Sequence, residues 1–192
     1  MNLIKHFINL HANLMSIDKF FLKSVGEWNS MRSGHSLAFQ EFEEIRSKIK
    51  ISSLSKNDPR VVKLIKENLI PSQKVSNPYL ITWEAKSDWD EESVQENSSG
   101  ESLLIPLASS DSNGKIIRSL GYSEPVPITS SYKILEDGTL VILSEYNQII
   151  TEERIWFISE NLRSRSSVTR SLDSKAILQT SYASEVRCIK AI

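Results

Sequence analysis

The sequence predicts an all-β protein, an antiparallel sandwich or barrel of roughly ten strands accompanied by two short helices. Two observations carry that prediction. Most of the chain beyond Trp28 reads as strands of moderate length separated by polar or Gly, Asn, Asp and Pro turns, with Glu136-Asp137-Gly138 a clear hairpin signal. Capped helical periodicity, by contrast, is confined to two places between Ser16 and Ile65.

Residues Met1 to Leu14 carry Leu3, Ile4, Phe7, Ile8, His11 and Leu14 at roughly helical spacing. Lys5, His6, Asn9 and Asn13 interrupt any secretory apolar core, and the segment lacks the Arg and Ser of a transit peptide. It is expected to be a poorly packed extension, leaving residues 15–192 as one domain. Ser16 caps the first helix, whose apolar positions Ile17, Phe20 and Phe21 fall at i, i+3 and i+4, and Gly26 stops it. Asp58-Pro59 opens the second helix, expected to turn Val61, Val62, Leu64 and Ile65 inward and to lie over a barrel mouth.

Strands are expected near 28–39, 41–52, 79–88, 101–107, 115–122, 126–135, 139–146, 152–158, 163–171 and 176–189. The stretches Asp90–Gly100 and Ser109–Gly114, acidic or rich in Ser and Asn, read as loops. No repeat or linker divides the chain.

A length of 192 residues with 40% hydrophobic content suits one substantial core. The net charge of -1 supplies no global attraction to nucleic acid or anionic membrane. No apolar run has the length of a membrane-crossing helix. Cys188 is the only cysteine, which excludes an internal disulfide and fits a reducing compartment. His6, His11 and His35 show no metal-ligand spacing, so no metal site is expected.

The segment Glu152–Ser167 is the most informative. Strand alternation puts Arg163, Arg165 and Ser167 on one face and Leu162, Ser164 and Ser166 on the other. If that face is a barrel interior, two guanidinium groups there need anionic partners, which a carboxylate-bearing ligand would provide. Glu185 and Arg187 share a face of the last strand, and Cys188 has the opposite parity. An RNA-binding reading of the Arg-Ser alternation would need a basic surface that the overall charge does not supply.

Gly26-x-Trp28 at the helix-to-strand junction, together with Arg187 in the last strand, is similar to the arrangement that closes one end of lipocalin-like barrels. A longer pattern includes it. Phe20-Phe21-x-x-Ser24-x-Gly26-x-Trp28-x-Ser30-x-Arg32-x-x-His35 is followed by Trp83-Glu84, Asp88-Trp89-Asp90 and Gly121-Tyr122-Ser123-Glu124. Then come Glu152-Glu153-Arg154-Ile155-Trp156-Phe157, Asn161-Leu162-Arg163-x-Arg165-x-Ser167 and Ser184-Glu185-Val186-Arg187. In this order and from Met15 onward, the chain resembles the S-type phycobiliprotein lyases, the CpcS/CpeS group, which attach open-chain bilins to cysteines of antenna proteins.

The resemblance implies a ten-stranded antiparallel lipocalin-like (calycin) barrel with an N-terminal helix. It implies a bilin as substrate rather than a resident cofactor, phycoerythrobilin or phycocyanobilin, with a phycobiliprotein apo-subunit as acceptor, phycoerythrin in the first place. A homodimer, and a cyanobacterial cytoplasm or algal plastid, follow from it too. So does a set of roles: Arg163 and Glu185 catalytic, with Arg32, Glu153, Arg165 and Ser167 binding the bilin, joined by Trp83 and Trp89 as stacking surfaces. Glu185 either meets pyrrole N–H groups or neutralises one of the arginines; the sequence leaves both open. A noncatalytic bilin carrier is the alternative activity. The chain departs from the family at Ser130-Ser131-Tyr132, where relatives have Gly-Arg-Tyr, and at Asp173-Ser174, where they have Gly-Gly. The first change removes a positive charge that would reach a propionate or a partner.

Overall fold

In the computed structural model, residues 15–71, 75–87, 98–119 and 127–189 are described. The expectation for residues 1–14 therefore lies outside the described residues. Helix α1 (Ile17–Ser24) begins where Ser16 accepts a hydrogen bond from the Lys19 amide at 3.4 Å, and it buries Ile17, Phe20, Phe21 and Ser24. After it the chain turns through Gly26 at φ +136°, a conformation that an L side chain resists. Then come β1 (Gly26–Ser36) and β2 (Glu41–Ser53), helix α2 (Pro59–Glu67), and β3 (Tyr79–Ser87) and β4 (Ser98–Ala108). The remaining strands are β5 (Asn113–Arg118), β6 (Ile128–Ile134), β7 (Leu140–Tyr146), β8 (Ile149–Phe157), β9 (Leu162–Ser171) and β10 (Ile177–Arg187).

All ten strands pair antiparallel with their sequence neighbours, and β1 also pairs with β10, closing a barrel. The strand pattern alone is equally compatible with a sandwich; this last pairing decides for a barrel. Trp28, Ser30 and Arg32 of β1 face inward opposite Arg187, Glu185 and Ala183 of β10. Two expected loops are shorter than read, because β4 starts at Ser98 and β5 at Asn113.

Two apolar clusters form. Inside one end of the barrel, Ile17, Phe20 and Phe21 of α1 pack with Trp28, Ile51, Tyr79, Tyr132 and Leu140. Phe21 stacks on Tyr79 with ring centroids 4.9 Å apart, and Phe20 meets Phe157 edge-on at 5.3 Å. Burying each phenyl ring contributes roughly 1.5–3 kcal/mol. That end is thereby plugged.

The second cluster lies outside the barrel. Asp58 accepts from the Arg60 amide at 2.9 Å, and Val61 and Leu64 of α2 pack on Leu103, Ile105 and Ile117. These barrel residues point outward, opposite in parity to the inward Leu104 and Ile116. Helix α2 thus covers the outer wall of β4 and β5 rather than the mouth, and Val62, expected inward, is 49% exposed. A helix with only one apolar stripe needs one surface, and the wall supplies it.

Candidate functional site

The chemistry of the site begins with strand parity. Arg163, Arg165 and Ser167 all face the lumen, and so do Glu153 of β8 and Glu185 of β10, which pair in register with Ser167 and Arg163 respectively. Arg163 Nε donates to Glu185 Oε2, and both side chains are almost fully buried. Glu185 therefore neutralises Arg163 directly, one of the two arrangements the sequence allows. Arg165 is bound elsewhere: its Nε and Nη2 donate to Glu153 Oε1 at 3.1 and 2.5 Å.

Glu153 Oε2 accepts a further hydrogen bond at 2.8 Å from Nη2 of Arg118, a residue on β5 across the lumen. Sequence reasoning missed Arg118, which Lys115-Ile116-Ile117-Arg118 presents as one more strand-end cation. No local signal singles it out, because Ile116 and Ile117 are both apolar and alternation leaves the face of Arg118 open. Burial alone would push the Glu153 carboxyl up, but the charges of Arg165 and Arg118 and their hydrogen bonds prevail and hold it down at about 2.

This charged layer divides the lumen. Toward the open end is a cavity of about 180 Å³, whose wall includes Arg32, Arg118, Glu153, Arg165 and Ser167. Below lies an apolar chamber of about 60 Å³ against Phe20, Phe21, Trp83 and Ile155, with Arg118 and Arg165 shared with the cavity above and Arg163 on its wall. Trp83 fits because Gly100 faces it: a Cβ there would come within 2.5 Å of the indole. Ser167 Oγ lies 2.7 Å from Ser181 Oγ. Arg32 sits higher, on Glu43 at 3.4 Å.

Seven of the eight site residues named from the sequence thus lie on or beside one lumen; the eighth, Trp89, lies outside the described residues. His35 faces outward and packs on Phe42. Ser131 is exposed on the outer face of β6, so an arginine at that position would not reach the lumen, and its loss cannot affect a propionate there. The change at Asp173-Ser174 falls in the turn before β10, as expected.

The closed end is built around Trp28, which is 0% exposed. Its Nε1 donates to Ser24 O at 2.9 Å, and the guanidinium carbons of Arg187 and Arg163 stand 4.2 and 4.5 Å from its ring centroid. Arg187 also donates to Lys23 O and Val25 O, each at 2.6 Å, satisfying carbonyls left open at the end of α1. A Cβ on Gly26 would lie 2.5 Å from Arg187 Nη1, so a larger residue there would push that guanidinium off its carbonyls as well as strain φ.

A closed antiparallel barrel, plugged by a helix at one end and carrying a charged lumen open at the other, defines a calycin-type fold. Residues 16–188 match the family model described as CpeS-like protein. The chain is 40% identical over 175 residues to a protein of Trichodesmium erythraeum named chromophore lyase CpcS/CpeS 3, covering 90% of this chain and 99% of that protein. It is 39% identical over 152 residues to the putative phycoerythrobilin lyase CpeS of Microchaete diplosiphon, covering 78% and 66% of the two chains. The solved S-type phycobiliprotein lyase of Guillardia theta superposes with a TM-score of 0.80 at 32% identity, covering 92% of this chain and 95% of that one. The chain belongs to the CpeS-like family.

Proposed function

We propose that the protein is a bilin lyase that holds phycoerythrobilin noncovalently in the lumen and delivers it to a cysteine of a phycobiliprotein subunit, phycoerythrin in the first place. The observation that carries this reading is the charged layer of Arg118, Glu153 and Arg165 on the wall of the open cavity, with the buried Arg163–Glu185 pair deeper in the lumen, in a barrel of a family whose members bear the name chromophore lyase. Arg163 and Arg165 suit the propionates, and Trp83 offers a flat wall. Ser167, Glu153 and Arg32 complete the binding set.

Glu185 is the group that can hydrogen-bond pyrrole N–H and keep the tetrapyrrole protonated, which makes the ring-A ethylidene more electrophilic. The acceptor's thiolate sulfur then bonds to the exocyclic carbon, the double-bond electron pair moves into the ring, and the ring takes up a proton. Orientation and proton management come from the lyase; the nucleophile comes from the acceptor. Cys188 is exposed beyond the end of β10, which suits a chain that does not itself retain the bilin covalently.

Purified protein, phycoerythrobilin and an apo-phycoerythrin subunit test this. Wild type yields a covalently coloured subunit, and Glu185→Gln slows its formation about 10²-fold. A shifted bilin spectrum with an uncoloured subunit would make the protein a carrier instead, and unimpaired transfer by Glu185→Gln and Arg163→Ala would remove the proposed roles.

A homodimer belongs to the same reading. Its support is the apolar stripe of Met31, Tyr182 and Val186, 47–56% exposed on the outer faces of β1 and β10. Light scattering is expected to return twice the chain mass, and Tyr182→Glu to halve it; a monomeric wild type would end this part. A cyanobacterial cytosol, or a plastid in an alga, fits the lone cysteine and the organisms of the relatives.

A further inference from the structure

Among the described residues, Arg118, Arg163 and Arg165 stand with the carboxylates of Glu153 and Glu185 in one buried cluster. Arg118 holds an open donor in it. Arg118 is only 8% exposed, and it spends one N–H on Glu153, yet among the described residues its Nε–H has no acceptor. A buried charged donor without a partner costs several kcal/mol, so such a group persists only where something else answers it. Nε and Nη2 lie along the edge of a guanidinium that grips a carboxylate in bidentate fashion, and Glu153 occupies only the Nη2 position. Arg118 also borders both the 180 Å³ cavity and the apolar chamber beneath it. A group reaching down from the open end would meet it at the boundary.

We propose that Arg118 is a carboxylate anchor of the lumen, and that the carboxylate it takes is one propionate of the bilin. The inference rests on the reading that the lumen holds a bilin and adds to it the residue that fixes depth. Glu153 stays ionised and keeps Arg165, while the propionate takes the unanswered N–H of Arg118. The tetrapyrrole is thereby stopped at the charged layer. A cavity of about 180 Å³ is below the range of roughly 300–1,000 Å³ usual for enclosed organic ligands, so part of it projects from the mouth, within reach of an acceptor thiol.

The test compares phycoerythrobilin with its dimethyl ester, in which both carboxylates are blocked, by absorption titration of wild type and Arg118→Lys. Lysine retains the charge beside Glu153 but lacks the Nε–H. The variant is expected to bind the free acid roughly tenfold or more weakly than wild type and the ester about equally. An equal loss for both compounds, or for neither, overturns the inference while leaving the bilin reading intact. Wild type that binds neither compound overturns the bilin reading, and this inference with it. Should the variant fail to fold, a crystal structure of the wild-type complex decides: a propionate oxygen within hydrogen-bond distance of Arg118 Nε supports the anchor, and propionates placed elsewhere overturn it.

Discussion

Glu153→Ala is expected to lower stability by about 3–5 kcal/mol, because it leaves two guanidinium groups facing each other in the lumen without their common counter-ion. Glu153 is 5% exposed and accepts from both Arg118 and Arg165, so its loss breaks two charge-assisted contacts at once. Urea denaturation at neutral pH measures the loss; a value below about 1 kcal/mol would mean that the layer tolerates the loss of this carboxylate. The same carboxyl makes stability depend on pH. Its folded value, about 2, lies below the ordinary 4.5, so the unfolded chain takes up the proton first as the solution is acidified. The stabilisation is complete above 4.5, declines as pH falls from there, and is gone below about 2. Glu153→Gln should flatten that part of the pH profile, and an unchanged slope would exclude Glu153 as its source.

Trp28→Ala should cost a similar 3–5 kcal/mol through loss of a fully buried indole and the cavity left behind. It would also remove the hydrogen bond to Ser24 O and the ring beneath Arg163 and Arg187. Arg187 separates cation from geometry at the same place. Arg187→Ala removes two short bonds to the end of α1, for about 2 kcal/mol, and Arg187→Lys should recover little, since an ammonium group cannot span both carbonyls while stacking on the ring. Thermal melts of the three variants check this, and full rescue by lysine would show that charge alone matters.

Much of this was legible in the chain. Alternation along Arg163-Ser164-Arg165-Ser166-Ser167 grouped the side chains correctly, because a period of two allows only two answers; that Arg163 and Arg165 face the lumen follows from their register with Ile155 and Phe157, which pack against the core. Gly26, Trp28 and Arg187 likewise formed a recognisable set. The register of one strand against the next is not written in local pattern. Hence the ion pair of Arg163 with Glu185, and of Arg165 with Glu153, emerges only from register. Arg118 escaped for a related reason: its partner is 35 residues away, and a terminal arginine after two isoleucines looks the same whether it faces water or a lumen. The site of α2 was misread because an amphipathic stripe says that a helix needs cover, not which cover it finds.

The seam between β1 and β10 has a consequence for how the molecule comes into being. Ser30, among the first barrel residues, faces Glu185, among the last, so the cylinder cannot close on a growing chain until β10 has been made. Such distant pairing slows folding, because the loop must be ordered before its contacts repay the lost entropy. Until then Trp28 lacks Arg187, and Arg163 lacks Glu185. A nascent or C-terminally truncated chain is thus a curved open sheet with a charged strip on its concave side. It acquires an interior, and with it any power to hold a ligand, in its final step.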